Sequence, residues 1–186
     1  MVSRRDATLN LAMLLNHAPD SPDEVGGEGL LEPDGTHLSE IGLRLNGPLA
    51  WRLTIRNAGG DDDFLAEGEV TGAALLECRR CLTDVPIPVA SSFLYPMTYL
   101  PATERLTLAE TDEDEEERLL FGHPEVDFGP MLAQLFAIDL PLTALCKNSC
   151  RGLSLDGVNL NEYPELEGER SPPTSSPFAT LKDLDL

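Results

Sequence analysis

Positive charge is what this 186-residue chain has least of: 13 Lys and Arg stand against 33 Asp and Glu, a formal net charge of −20. That imbalance argues against an extended phosphate-binding face, because nucleic-acid affinity depends on Lys and Arg displacing counterions. Direct contact with RNA is therefore not expected, and a basic protein partner is. Histidines number three, and His17, His37 and His123 are isolated from one another. No Ser-His-acid set, phosphate loop or paired histidine motif can be read, so the chain is not expected to be an enzyme. No apolar run approaches the ~20 residues of a membrane span. The run after Arg4 and Arg5 is too short for an export signal, and Asn10 interrupts it. Aromatics are sparse at 5%, but 41% hydrophobic content is enough for one core.

Cysteine is also scarce, with four residues in all, yet these fall in two close pairs, Cys78-x2-Cys81 and Cys146-x3-Cys150. Such spacing fits two knuckles that each offer two thiolates to one side of a tetrahedral Zn2+. The 64 intervening residues are long for a zinc ribbon, so a domain must fold before the site closes. Arg79, Arg80, Lys147 and Arg151 sit inside or against the pairs, where cations lower thiol pKa values and offset the −2 charge of a four-thiolate zinc site. The alternatives are four reduced, unligated thiols, or a disulfide or redox pair at Cys78-Arg79-Arg80-Cys81. Redox chemistry has no need of the second pair, and Cys78 is not set in a βαβ pattern. Four cysteines without a leader point to a reducing cytoplasm.

Taken in order, Leu9, Leu11, Met13 and Leu15 alternate as an opening strand, and Pro19 to Gly29 is an acidic, Pro- and Gly-rich connection. Ile41, Leu43 and Leu45 alternate up to the turn at Asn46-Gly-Pro48. Trp51, Leu53 and Ile55 then share one face of a strand, and Asn57 to Asp63 turns the chain into a return strand reaching about Leu76. Gly68 and Gly72 in that strand mark a bulge or a close backbone approach. Val85 to Tyr99 keeps period two, with Pro86 and Pro88 marking an edge. Seven of the eight residues from Glu110 to Glu117 are acidic, which makes an acidic, mobile loop over 109–118. A helix over 127–140 follows, with Asp127 as N-cap, Pro130 in the first turn, Phe128, Met131, Leu132, Leu135 and Phe136 at helical spacing, and Pro141 as its stop. The pattern predicts an α+β fold: an antiparallel, partly closed, barrel-like sheet with one main helix packed on it and a zinc-knuckle-like cysteine site. One domain is expected over 1–161, then a flexible acidic and Pro-rich tail over 162–186. In that tail Phe178, Leu181 and Leu184 line one side of a short helix, placed either on a partner or on the chain's own domain.

Leu76-Glu-Cys-Arg-Arg-Cys-Leu82, Asp139-Leu-Pro-Leu142, Leu145-Cys-Lys-Asn-Ser-Cys-Arg-Gly-Leu153 and Pro177-Phe-Ala-Thr-Leu181 occur in that order. This succession resembles the YceD family, bacterial and plastid proteins linked to accumulation of large-subunit ribosomal RNA. The resemblance implies a non-catalytic factor for large-subunit biogenesis. Its net charge adds that it should hold a basic ribosomal protein or assembly factor of the large subunit. Family members are commonly encoded beside the gene for a small basic protein of that subunit, the first candidate. Many members carry further cysteines after the second pair, where this chain has Ser154 and Asp156; four ligands and a single closed site remain. Relatives often read Asp-Pro-Arg-Phe where Ser176-Pro177-Phe178 stands here. The alternative, from a different class of function, is an acidic interaction module unrelated to ribosomes, for which the charge and the Phe178 segment would be sufficient.

Overall fold

A computed structural model of the chain describes residues 6–16, 22–32, 42–60, 62–110 and 117–169. Contacts group the chain into two compact units, one of residues 1–76 and 85–142, the other of residues 77–84 and 143–186. The expected domain over 1–161 spans both.

The larger unit is built on period-two strands. β1 (Thr8–Asn10) leads into a short helix α1 (Ala12–Leu15), followed by β2 (Glu24–Leu31), β3 (Leu49–Asn57), β4 (Asp63–Glu77), β5 (Asp84–Tyr99), β6 (Thr107–Glu110), β7 (Glu117–Phe121), β8 (Glu125–Asp127) and helix α2 (Gly129–Ile138). Six strands form one sheet in the order β2-β3-β4-β5-β7-β6, and β1 pairs with β8 in a separate two-stranded ribbon. Leu49, Trp51, Leu53 and Ile55 of β3 are buried, as are Phe64, Ala66, Val70 and Ala74 of β4, so one face of each strand meets the core. Gly68 and Gly72 occupy the same inward face. A Cβ at Gly68 would lie 2.6 Å from Leu53 Cδ2 and 2.7 Å from Phe93 Cζ, and one at Gly72 2.5 Å from Leu49 Cδ2. The close approach expected there is thus made by side chains from β3 and β5 filling the space the glycines leave. Helix α2 lies against this layer: Phe136 is fully buried, and the Ser91 hydroxyl of β5 donates to the Leu135 carbonyl at 3.4 Å. Phe64 meets Phe121 edge to face at 5.8 Å, and Asp63, Thr98 and Arg118 tie β4, β5 and β7 together through hydrogen bonds of 2.8–2.9 Å.

Several expectations need correction. The sheet is open, with β2 and β6 at its edges, so the partly closed, barrel-like form is not adopted. It is also not wholly antiparallel: Met97–Tyr99 of β5 pairs in parallel with Leu119–Phe121 of β7. Pairing with β7 begins only at Met97, which leaves Pro86 and Pro88 outside it, in keeping with an edge there. The opening strand stops at Asn10, whose Oδ1 accepts the Ala12 N–H at 3.0 Å and starts the turn of α1 instead. The Pro- and Gly-rich connection is β2 from Glu24 onward, paired residue by residue with β3. Leu45 makes one bridge, to Ala74, rather than a strand. The acidic loop is shorter than 109–118, since Glu110 and Glu117 pair across the β6–β7 ladder; residues 111–116 lie outside the described residues. Asp127 ends β8 and Phe128 is the N-cap of α2, although Asp127 Oδ1 still accepts the Gly129 N–H at 2.8 Å. In the smaller unit, part of the expected tail is a 3-10 helix, Pro164–Glu169. Phe178, Leu181 and Leu184 lie outside the described residues.

Candidate metal centre

All four cysteines belong to the smaller unit. The first pair sits on a tight turn. The Cys78 N–H donates to the Thr83 carbonyl and the Leu82 N–H to the Cys78 carbonyl, both at 2.8 Å, and Leu82 is held at a φ of 59°. A leucine in the left-handed region is strained, so the turn is maintained by its surroundings rather than by local preference. The second pair is bent back by the Cys150 N–H donating to the Lys147 carbonyl at 3.0 Å. Between the two, Cys78 bridges Ala144 in parallel and the Arg79 N–H donates to the Ala144 carbonyl at 3.0 Å. Arg80 completes the link by donating from Nη1 to the carbonyls of Cys150 at 3.0 Å and Asn148 at 3.3 Å. Gly152, at a φ of 81°, lets the backbone pass close by: a Cβ there would stand 3.1 Å from the Arg80 carbonyl oxygen.

These bonds bring the four sulfurs to within 4.8 Å of one another. Cys78 Sγ lies 3.9 Å from Cys150 Sγ, and Cys81 Sγ lies 3.6 Å from Cys146 Sγ. Four sulfurs each about 2.3 Å from a central ion, in tetrahedral array, are about 3.8 Å apart, so the cluster has the right size for one such ion. Cys78, Cys81 and Cys150 are buried and Cys146 is exposed. The Cys146 N–H, followed by those of Arg80 and Cys81, draws the Cys78 thiol down to about 6 against the opposing effect of burial. Burial opposes ionisation of Cys150 as well, but the Asn161 amide and the Gly152 N–H outweigh it and lower its pKa. Desolvation and then the neighbouring thiols of Cys150, Cys81 and Cys78 push Cys146 up to about 12. Cys146 is the exposed member of the four, so crowding by the neighbouring sulfurs bears on it more than burial does. Without a cation, then, the cluster does not hold four negative charges; a metal dication would remove that conflict. The four cysteines could hold a metal ion, with every position of a tetrahedral shell filled by sulfur.

Two features escaped the sequence. Asn161 donates from Nδ2 to Cys150 Sγ at 3.3 Å, and its Oδ1 accepts the Arg151 N–H at 3.1 Å, which fixes the orientation of the amide. Thr83 Oγ1 lies 3.4 Å from Cys81 Sγ. Of the four cations expected to offset thiolate charge, Arg80 donates from Nη1 to the backbone carbonyls of Asn148 and Cys150.

The described residues form an open, mostly antiparallel sheet with one main helix, and a cluster of four cysteines that could hold a metal ion. The chain belongs to the YceD family, described as large ribosomal RNA subunit accumulation protein YceD, whose signature matches residues 66–185. That match takes in both cysteine pairs. A relative from Mycobacterium leprae (strain TN), named Uncharacterized protein ML1660, is 28% identical over 156 residues, which cover 79% of this chain and 66% of that protein. This chain thus spans just under two thirds of that relative's length. No solved structure matches it.

Proposed function

We propose that this protein supports accumulation of large-subunit ribosomal RNA as a non-catalytic binding factor in the cytoplasm. In this reading Cys78, Cys81, Cys146 and Cys150 hold one structural Zn2+, and the acidic surface captures a basic ribosomal protein or assembly factor. The family match over residues 66–185 carries the reading. The four-sulfur cluster supports an architectural metal, since a shell filled by four thiolates has no open position for a water or substrate. A net charge of −20 supports a basic protein as the partner and speeds its encounter. No helix among the described residues is long and apolar enough to cross a membrane.

Affinity purification of the tagged chain at low and high salt, with protein and RNA both identified, tests this. The expected result is enrichment of a basic large-subunit protein that falls as salt rises, together with loss of large-subunit RNA in cells lacking the chain. Unchanged ribosomal RNA in such cells would contradict it.

A further inference from the structure

Two cavities of the larger unit adjoin along α2. One, about 480 Å3, has Phe121 and Val126 among its lining and is edged by Glu104, Glu125 and Asp127, with Arg105 and His123 also present. The other, about 220 Å3, is apolar, lined by Tyr95, Leu119, Leu135 and Ile138. Leu106, Pro130 and Met131 line both, so the two make one groove. Ile138 is 75% exposed and Leu108, also in the second cavity, 46% exposed. Beyond Ile138 the helix ends at Asp139, with no basic residue in its last turn. Asp139 is exposed and follows Ile138 directly, so it and the C-terminal end of α2 place negative charge close to Ile138. A helix of this length spans about 15 Å. The first cavity thus carries three carboxylates against one arginine, and the second is mainly apolar and ends at Ile138, next in sequence to Asp139.

We propose that this groove seats an amphipathic segment of a basic protein. Apolar side chains of the segment fill the cavity at Leu135 and Ile138. One Lys or Arg meets Glu104 and Glu125, and another, about three helical turns away, meets Asp139 and the end of α2. A second copy of this chain is the wrong occupant, because each copy carries a formal charge of −20 and the two repel. The inference rests on the reading above that the partner is basic, and adds where it binds and why shape as well as charge selects it.

The test uses a fluorescent synthetic peptide of Leu, Lys and Arg with a continuous apolar stripe flanked by basic residues, and a scrambled peptide of the same composition without the stripe. The full chain should bind the striped peptide at least about tenfold more tightly. Ile138→Asp and Leu108→Asp, both surface changes, should each remove that preference while leaving the circular dichroism spectrum unchanged. Equal binding of the two peptides, or a preference that survives both substitutions, would overturn the groove. An Ile138→Asp chain that still captures the same basic ribosomal protein also rejects the groove and leaves the proposed function standing. A wild-type chain that prefers the striped peptide but captures no large-subunit protein does the reverse.

Discussion

The two units of this chain are held together by different means. Every residue of the buried apolar cluster, from Ala7 to Phe136, belongs to the larger unit. Among its described residues, the smaller unit buries little apolar side chain beyond Ala144 and Leu160, and three of its other buried residues are cysteines. A segment so poor in apolar burial cannot offset its conformational entropy by hydrophobic contact, and segments of that kind depend on disulfides or metals. The difference gives the proposed metal a local role: it would staple the smaller unit, whose described residues bury little apolar side chain of their own.

The largest effect expected is from metal removal. Structural zinc binding of this type is worth about 10 kcal/mol or more, so chelation should abolish amide protection at residues 143–160 while β3 and β4 keep theirs. Acidification should release the metal in the same way, because protons compete for the sulfurs. Hydrogen exchange read residue by residue checks both, and equal loss in the two units would erase the distinction. The converse cut is Phe136→Ala, which should cost about 3–5 kcal/mol in denaturant unfolding through the cavity it leaves, without changing the metal bound per folded chain.

Smaller effects sharpen the picture of the cluster. Asn161→Ala should weaken metal affinity by about 10- to 100-fold in chelator competition, as removal of a ligand's hydrogen-bonding support does elsewhere. Asn161→Gln should recover little of this, its longer chain misplacing the amide. The smallest change runs the other way. Leu82→Gly relieves a left-handed residue and should leave stability unchanged or raise it by up to about 1 kcal/mol in thermal unfolding, since Leu82 is 58% exposed and gives up little packing.

Where inward positions are large and apolar, the sequence was legible: Trp51, Leu53 and Ile55 alternate, and β3, β4 and β5 appear where expected. β2 was not, because its inward positions include glycine. A Cβ at Gly27 would stand 2.9 Å from Leu9 Cδ2 and 3.2 Å from Trp51 Cη2, so the strand makes room for a large neighbour and its alternation cannot be seen as hydrophobicity. The parallel β5–β7 pair is three residues long and follows from how the β6–β7 hairpin folds back, which no local pattern records. At the cluster, the cysteine spacing announced the four sulfurs. The role of Asn161 was hidden because its partner, Cys150, is chosen by the loop between them, where the Leu160 N–H donates to the Gly152 carbonyl at 2.9 Å.

Metal content per chain, measured by elemental analysis on protein purified without added metal or chelator, tests the central claim most directly. One zinc per wild-type chain is predicted, falling to a small fraction in Cys150→Ser and in Cys81→Ser. A metal-free wild-type protein whose melting neither substitution alters would contradict the account and leave the four cysteines as ordinary thiols.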